Sequence, residues 1–221
     1  NGGLQLSKTA GRVRVLEDQL GQDDRFDGAI GLAHTRWATH GEPSDRNAHP
    51  HEDDPKLGHG IAIVHNGIIE NHAALKTYLV DNGHVFASDT DTEVLAHLIG
   101  HFYEGDLEAS VRQALREVTG AYAIAVVCAQ EPDVLVVARK GSPLMIGVGS
   151  DEYIVASDAS AIVAHTNQAI ELDDDTIARL TTDSFRTSTL ENVTITPQMR
   201  ELEVDLEQIE LGSYPHYMLK E

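Results

Sequence analysis

Cysteine and long apolar runs are both nearly absent from this 221-residue sequence. Cys128 is the single cysteine, which excludes an intramolecular disulfide and is ordinary for a protein of a reducing compartment. The longest apolar runs, such as residues 121–129, fall well short of the roughly 20 residues that a transmembrane helix needs. No secretory signal pattern lies near Asn1. These absences predict a soluble, cytoplasmic protein without a membrane partner.

Basic residues are scarce relative to acidic ones. The chain has 16 lysines and arginines against 36 aspartates and glutamates, for a formal net charge of -20. Such a charge repels the phosphates of nucleic acid and of anionic lipid. We therefore expect neither nucleic acid nor a membrane surface as a partner.

The chain lacks internal repeats and any linker rich in glycine, serine or proline, so we expect one domain. Its first residue is Asn1 rather than methionine, and its last stretch, residues 214–221, stops in an apolar and basic segment. Both ends lead us to expect that the chain belongs to a longer polypeptide.

The apolar spacing predicts short buried strands and amphipathic helices. Residues 29–34 and 60–65 are apolar stretches typical of strands, and each leads into a polar cluster. Thr90 and Glu93 form a capping-box pattern, and Asp106 precedes another helical pattern. Grouped helices followed by many strands predict an α+β fold. The helices are expected at 69–82, 90–104, 106–118 and 158–165, and the later strands at 121–129, 134–139, 144–148, 153–156, 169–172, 176–181 and 193–196.

Histidines are concentrated in one part of the chain, which raises the question of a metal site. Seven of the twelve lie between His34 and His72. On an extended segment His49 and His51 would point to the same side, and with His40 they could serve a metal-dependent hydrolase. No cysteine or carboxylate with a known zinc spacing accompanies them. The alternative is that they are histidines of a polar loop, and we expect neither a metal nor another cofactor.

Three polar clusters follow the predicted strands or begin a helix. In the first, residues 35–41 (TRWATHG), Arg36 offers a planar fork that suits a carboxylate and Trp37 a ring that excludes water, although the pair could equally be a cation–π contact. In the second, Asn66 and Gly67 suggest either a tight turn or two donors for an oxyanion. In the third, residues 89–93 (DTDTE), a carboxylate beyond those needed for capping could bind an ammonium group.

Together these clusters resemble a known family. Residues 34–41 (HTRWATHG), 47–51 (NAHPH), 64–71 (VHNGIIEN) and 88–93 (SDTDTE) are similar to the glutaminase domain, a class II glutamine amidotransferase domain, of glucosamine-6-phosphate synthase. Residues 141–144 (GSPL), 156–158 (ASD) and 216–221 (HYMLKE) extend the resemblance over essentially the whole chain.

The resemblance implies a fold and a set of roles. The fold would be the N-terminal-nucleophile (Ntn) hydrolase type, a four-layer αββα sandwich that is incomplete at its N-terminus. Residues 1–211 would form the glutamine amidotransferase domain, and residues 212–221 would begin the linker to a sugar isomerase domain. The implied roles are a glutamine carboxylate site at Arg36 with further contacts from Thr39 and His40, a closing ring at Trp37, an oxyanion hole at Asn66 and Gly67, and an ammonium site at Asp91.

One element of the family pattern is missing from this sequence. The family attacks glutamine with a cysteine at the mature N-terminus, whereas this chain begins with Asn1 and carries its cysteine in an apolar strand. We therefore expect the chain alone to be inactive, within a parent enzyme that delivers ammonia to fructose-6-phosphate and is a homodimer. A glutamine-binding module without catalysis is the other alternative.

Overall fold

A computed structural model describes residues 3–21, 26 and 28–202 of the chain. Within these residues five α-helices and eleven strands are formed. The helices are α1 (Val13–Leu20), α2 (His72–Asp81), α3 (Asp91–His101), α4 (Leu107–Glu117) and α5 (Ser160–Val163). The strands are β1 (His51–Glu52), β2 (Ile61–Ile69), β3 (Gly120–Cys128), β4 (Glu131–Lys140), β5 (Met145–Val148), β6 (Tyr153–Ala156), β7 (Gln168–Glu171), β8 (Thr176–Leu180), β9 (Phe185–Thr189), β10 (Thr194–Ile195) and β11 (Arg200–Glu201).

The strands form two sheets whose pairings are antiparallel. The larger sheet has the order β1-β2-β3-β4-β8-β9-β10, and the smaller one has the order β11-β7-β5-β6. The central pair is β2 and β3, which are in register from Ile61 opposite Cys128 to Ile69 opposite Gly120. This nine-residue ladder determines where each side chain of β2 lies relative to the rest of the molecule.

The larger sheet is buried on both faces because successive side chains of a strand point to opposite sides. Ile124 and Val126 of β3 belong to the core that packs against helices α3 and α4. Ala123 and Ala125 of the same strand belong to the core shared with the smaller sheet. Burial on both faces explains why the sequence of β3 reads as an almost continuous apolar run.

A helical element also covers the outer face of the smaller sheet. The side chain of Ile162 on α5 is fully buried and contacts β5 at Gly147, whose neighbour Ile146 points the other way, into the core between the sheets. The layers are therefore helix, sheet, sheet and helix, with the outer layer beside the smaller sheet contributed by the single turn of α5 among the described residues. The predicted α+β sandwich is confirmed.

Most of the predicted helices and strands are present, but two predictions beside the polar clusters were wrong. The helix predicted to start at residue 69 begins at His72, because β2 continues to Ile69. Of the two alternatives for residues 66 and 67, the tight turn is not formed, since both lie inside this strand. Residues 29–34 were predicted to be a strand, yet they pair with no strand of the described chain. Leu32 does pack against the core between the sheets. The apolar pattern of these residues predicts that they are buried, but it does not show whether a partner strand is there to hydrogen-bond with them.

Other elements were not predicted, and one predicted segment cannot be compared. Strand β9 and the two-residue strands β1 and β11 gave no usable pattern, because β9 is mostly serine and threonine and the others are too short. The proposed linker, residues 212–221, lies outside the described residues. Across the described ranges, no helix has the length and apolar character needed to cross a membrane.

Candidate active site

A cavity of about 240 Å³ lies beside the second half of β2, where polar side chains from four segments meet. All seven residues that the sequence singled out line it: Arg36, Trp37, Thr39, His40, Asn66, Gly67 and Asp91. A larger cavity of about 340 Å³ lies elsewhere, between the two sheets, and is lined largely by apolar residues such as Leu32 and Val64. Since chemistry needs positioned polar groups, we assign the candidate active site to the smaller cavity.

Asn66 presents its amide to this cavity from within β2, opposite Ala123 of β3. Its Oδ1 lies 2.7 Å from Nε2 of His34. Burial lowers the pKa of His34 and outweighs the opposing effect of this hydrogen bond, so the ring is neutral at pH 7 and donates from Nε2. With Oδ1 so occupied, the two N–H groups of Nδ2 are left to face a ligand.

Position 67 in β2 accepts only glycine. Its φ of +141° is unfavourable for other residues, and a Cβ here would overlap the carbonyl oxygen of Ala121 and lie 2.9 Å from Nε2 of His65. The glycine is therefore required by the close approach of β3 at Ala121. Gly67 also lines the cavity, so its main chain is available to a ligand there.

Arg36 braces the loop that follows it. Its guanidinium donates to the carbonyl oxygens of Gly41 at 2.9 Å and Glu42 at 3.2 Å, and also to that of His40. Three of the five N–H groups of the fork are used in this way, so two remain for a ligand. The sequence suggested Arg36 as a carboxylate ligand, and the structure shows that the same side chain also holds the loop at residues 40–42.

Trp37 lies at the mouth of the cavity with its side chain directed to solvent. It is 90% exposed, more than any other large hydrophobic residue of the described chain. The alternative of a cation–π pair between Arg36 and Trp37 is not observed, since the cation–π contact of the described residues joins Lys76 and Phe86. An indole left this exposed gains from any ligand or segment that covers it.

Asn47 joins the two loops of the site and was not singled out from the sequence. It is fully buried. Its Nδ2 donates to the backbone carbonyl oxygen of Glu42 at 3.0 Å, and its Oδ1 accepts from the backbone N–H of Asp89 at 3.0 Å. A Cβ at Gly41 would lie 2.7 Å from the same Nδ2, so a glycine is required beside it. The sequence gives no sign of this role, because both partners of Asn47 are backbone atoms, which every residue has, and one of them is 42 residues away.

Asp91 is the first residue of α3 and is held in one orientation. Its side chain is buried, Oδ2 accepts from the backbone N–H of Ile69 at 2.9 Å, and Oδ1 lies 3.9 Å from Nδ1 of His40. Half of the predicted capping box is confirmed, because Oγ1 of Thr90 accepts from the N–H of Glu93 at 3.2 Å. The side chain of Glu93 accepts from the N–H groups of Ala87 and Ser88, not from that of Thr90. A carboxylate at a helix N-terminus is stabilised by the helix dipole. Oδ1 is thus an anionic acceptor within the cavity.

Several histidines at the cavity or next to it are kept neutral by burial. Burial lowers the pKa of His49 and of His65, and with the charge of Lys8 it lowers the pKa of His51 to about 4. His51 and His65 use their rings to position hydroxyls, with Nε2 of His51 3.2 Å from Oγ1 of Thr90. These histidines orient the residues that carry the site.

The stability of the protein is expected to fall as the pH falls from 7 to 5. The pKa of His51 is depressed in the folded state, so at pH 5 the unfolded chain binds more protons than the folded chain, and stability present above pH 6.5 is lost as the pH approaches 4. His51 alone should remove about 2 kcal/mol between pH 7 and pH 5. Urea unfolding at both pH values measures this difference.

The variant His51→Gln isolates the contribution of that ring. Its stability should change between pH 7 and pH 5 by about 2 kcal/mol less than that of the wild type. The variant His165→Gln, at an exposed histidine, is the matched control and should behave as the wild type does. An identical pH dependence for His51→Gln and wild type would contradict the assignment of a depressed pKa to His51.

The structure does not bring His40, His49 and His51 together as one set of metal ligands. The rings of His49 and His51 are 5.0 Å apart, but the ring of His40 packs against that of His72 at 4.7 Å. Among the described residues, the group of histidine and acidic side chains with converging ligand atoms lies elsewhere. The alternative of a metal-dependent hydrolase built on these three histidines is therefore not favoured.

Cys128 is remote from the cavity. It is 1% exposed in the core beneath the helices, and its Sγ lies 3.6 Å from the carbonyl oxygen of His59. On β3 it is five residues beyond Ala123, the partner of Asn66, which at about 3.3 Å per residue is roughly 17 Å. The thiol of Cys128 cannot reach a ligand held at Asn66.

Comparisons with known proteins agree with this geometry. A protein-family profile described as "Glutamine amidotransferase domain" matches residues 18–214. The chain is 51% identical over 227 residues to the glutamine–fructose-6-phosphate aminotransferase (isomerizing) of Chlorobaculum tepidum, covering 100% of this chain and 36% of that protein. It is 46% identical over 222 residues to the protein of the same name from Bacteroides thetaiotaomicron, covering 99% of this chain and 36% of that protein.

A solved structure shows the same fold. The glutamine phosphoribosylpyrophosphate amidotransferase of B. subtilis, complexed with ADP and GMP, superposes with a TM-score of 0.61 at 28% identity, over 71% of this chain and 34% of that one. The predicted Ntn-type sandwich is confirmed by this likeness. The chain spans about a third of the length of the curated relatives cited. With its profile match over most of its length, the chain belongs to the glutamine amidotransferase domain family.

Proposed function

We propose that this chain is the glutamine-hydrolysing part of an isomerising glutamine:fructose-6-phosphate aminotransferase. In this proposal residues 1–211 are the amidotransferase domain, residues 212–221 begin a linker, and the ammonia released from glutamine goes to fructose-6-phosphate at a sugar isomerase domain. The identity with aminotransferases from two bacteria supports the assignment. So does the match of the chain to about a third of their length, as a glutaminase part would show.

The observation that carries the proposal is the grouping of three complementary charges and dipoles around one cavity. Arg36 contributes a cation, Asp91 an anion and Asn66 an amide donor, all lining the same 240 Å³. A free amino acid with an amide side chain has a carboxylate, an ammonium group and a carbonyl oxygen that match these three groups. Glutamine and asparagine both carry these three groups, and the names of the matching family and of the similar proteins favour glutamine.

In the proposed complex each end of glutamine has its own partner. The two unused N–H groups of Arg36 bind the α-carboxylate, with Thr39 and His40 completing this end. The α-ammonium group binds Oδ1 of Asp91, which Ile69 holds in place through Oδ2. Trp37 closes over the ligand and removes its exposed ring from water.

Asn66 and Gly67 are assigned to the reacting amide. When a thiolate attacks the amide carbon of glutamine, negative charge develops on the carbonyl oxygen, and Nδ2 of Asn66 with the N–H of Gly67 would stabilise it. One such donor contributes about 3–4 kcal/mol to transition-state stabilisation in comparable sites. His34 supports this role because its hydrogen bond is to Oδ1 of Asn66, which leaves the N–H groups of Nδ2 for the oxyanion.

The 221-residue chain itself is expected to bind glutamine without hydrolysing it. Cys128 is buried roughly 17 Å along β3 from the partner of Asn66, so its thiol supplies no nucleophile to the cavity. Glutamate release measured with a coupled dehydrogenase assay should not exceed that of buffer. Release that disappears in Asn66→Ala would mean that the chain carries its own nucleophile and would sink this expectation.

The variant Arg36→Lys tests the binding assignment. Isothermal titration of the chain with glutamine should give one site, and Arg36→Lys should weaken binding by about tenfold because a point charge replaces a fork. Arg116→Lys, at an exposed arginine that contacts Leu190, is the matched control and should bind as the wild type does. A folded chain that binds no glutamine, or an Arg36→Lys variant with unchanged affinity, would contradict the assignment.

A further inference from the structure

A second cluster of potential ligands lies outside the cavity of the candidate active site. Asp54, His84 and His97 are 3%, 7% and 1% exposed. One ligand atom from each lies within 4.8 Å of the corresponding atoms of the other two. Asp54 follows β1, His84 follows α2 and His97 lies in the middle of α3, so three separate segments meet here. None of the three lines the cavity of the candidate active site.

In each of the two imidazole rings Nε2 faces a neighbouring side chain, while Nδ1 faces none that could hydrogen-bond to it among the described residues. Nε2 of His84 lies 3.3 Å from Nδ1 of His101, and Nε2 of His97 lies 3.8 Å from Oε1 of Glu93. Nδ1 of His84 and Nδ1 of His97 are buried, and within the part of the chain that the structure describes neither has a hydrogen-bond partner. A buried polar nitrogen without a partner is destabilising, and two of them beside one carboxylate call for a ligand.

The carboxylate of Asp54 is held in place by two hydrogen bonds and keeps lone pairs that could bind a ligand. Oδ1 accepts from the N–H of Lys56 at 3.0 Å, and Oδ2 accepts from the N–H of Val85 at 2.9 Å. A carboxylate has about four lone-pair sites, so roughly two remain free. The two backbone contacts hold the group beside the histidines without neutralising its charge.

The surroundings of the rings match those of metal-binding histidines. Such histidines use their second nitrogen on a carboxylate or another acceptor, which sets the orientation of the ring. His101 stands in this relation to His84, and Nε2 of His101 lies 3.0 Å from the hydroxyl of Tyr78. The carboxylate of Glu93 lies near Nε2 of His97, at 3.8 Å, which is longer than a hydrogen bond. Two shells of side chains are therefore arranged around one point.

We propose that Asp54, His84 and His97 bind a divalent transition-metal ion, for which Zn²⁺ is the representative. Two imidazole nitrogens and one carboxylate oxygen are a common ligand set for zinc, with water in the fourth position. The ion would join the segment after β1, the segment after α2 and helix α3, whose first residue is Asp91. Its role in this position is structural: it stabilises the packing of α3, the helix that carries Asp91, against the two other segments.

The test uses the purified 221-residue chain, freed of metal with a chelator and titrated with Zn²⁺ by calorimetry. One site is expected. His84→Gln and His97→Gln each remove a ligand and should each weaken zinc binding by more than about 100-fold, a larger loss than removal of an outer partner causes. His101→Ala, which removes an outer partner, should weaken it by about 10- to 100-fold. Co²⁺ in place of Zn²⁺ should give the visible absorption of a four-coordinate site.

Controls separate this cluster from the other histidines of the chain. His165→Gln changes an exposed histidine, and His49→Gln changes one beside the candidate active site. Both should bind Zn²⁺ as the wild type does. Zinc binding that is lost in His49→Gln but kept in His84→Gln and His97→Gln would overturn the proposal, and so would a wild type that binds no Zn²⁺.

Circular dichroism and thermal melting show whether each variant is folded. Zn²⁺ should raise the melting temperature of the wild type and of His165→Gln, and should leave that of His97→Gln unchanged. If His84→Gln and His97→Gln do not fold, His101→Ala decides, and an unchanged zinc affinity in that variant overturns the proposal. Glutamine binding by the metal-free chain bears on the proposed function alone, so the two proposals can fail separately.

Discussion

Replacing Gly67 by alanine is expected to destabilise the protein by about 4 kcal/mol or more, a loss large enough to prevent folding at 37 °C in a marginal protein. A Cβ at this position would overlap the carbonyl oxygen of Ala121 and approach its carbonyl carbon to 2.7 Å. Residue 67 lies within the β2–β3 ladder opposite Tyr122, so neither strand can move aside without breaking ladder hydrogen bonds. A thermal melt should show a midpoint lower by about 8–16 °C.

Gly83→Ala is the matched control for this prediction. Gly83 also has a positive φ, +88°, but no heavy atom lies within 4 Å of a Cβ built there. Its replacement should therefore cost only the backbone strain, about 1 kcal/mol. Comparable losses in Gly67→Ala and Gly83→Ala would show that contact with Ala121 is not the cause of the destabilisation.

Replacing Asp91 by asparagine should lower the affinity for glutamine by about 10- to 100-fold, the loss expected for one hydrogen bond between charged groups. The change removes the negative charge of the proposed ammonium site. It retains an oxygen that can accept from the N–H of Ile69, so the loop stays in place. Isothermal titration with glutamine measures the effect, and a melting curve confirms that the variant is folded.

Asp89→Asn is the control for the charge of this loop. Asp89 lies two residues before Asp91 but is half exposed and pairs with Arg46 instead of lining the cavity. Its replacement should leave glutamine binding unchanged. 4-Carbamoylbutanoate, which is glutamine without the α-amino group, should bind the wild type weakly and should lose no further affinity in Asp91→Asn. Equal losses for both ligands would mean that Asp91 does not hold the ammonium group.

The elements that could be predicted from the sequence are those whose pattern is local. The cap of α3 depends on Thr90 and Glu93, three residues apart, and the side chain of Asp106 accepts from Ala109, also three residues away. Apolar side chains at alternating or helical spacing predicted most of the longer strands and helices for the same reason. Where the pattern was weak, as in β9, or required a partner strand, as at residues 29–34, the prediction failed.

The residues of the candidate site were found from their chemical types and from the resemblance of their short motifs to one family. A guanidinium, a carboxylate and an Asn-Gly pair are informative wherever they occur, because few other side chains bind the ends of an amino acid or an oxyanion. That information is contained in the sequence, and the seven residues do line one cavity. Their individual roles remain predictions that the binding experiments test.

The partners of those residues were decided by the tertiary structure alone. That Asn66 and Gly67 belong to a strand follows from their pairing with β3, more than fifty residues away. That Nδ2 of Asn66 is free follows from His34, and that two loops form one site follows from Asn47. Local sequence determines which groups are available, because side-chain chemistry and helix capping act over a few residues. Which hydrogen bonds those groups make depends on segments that only folding brings together.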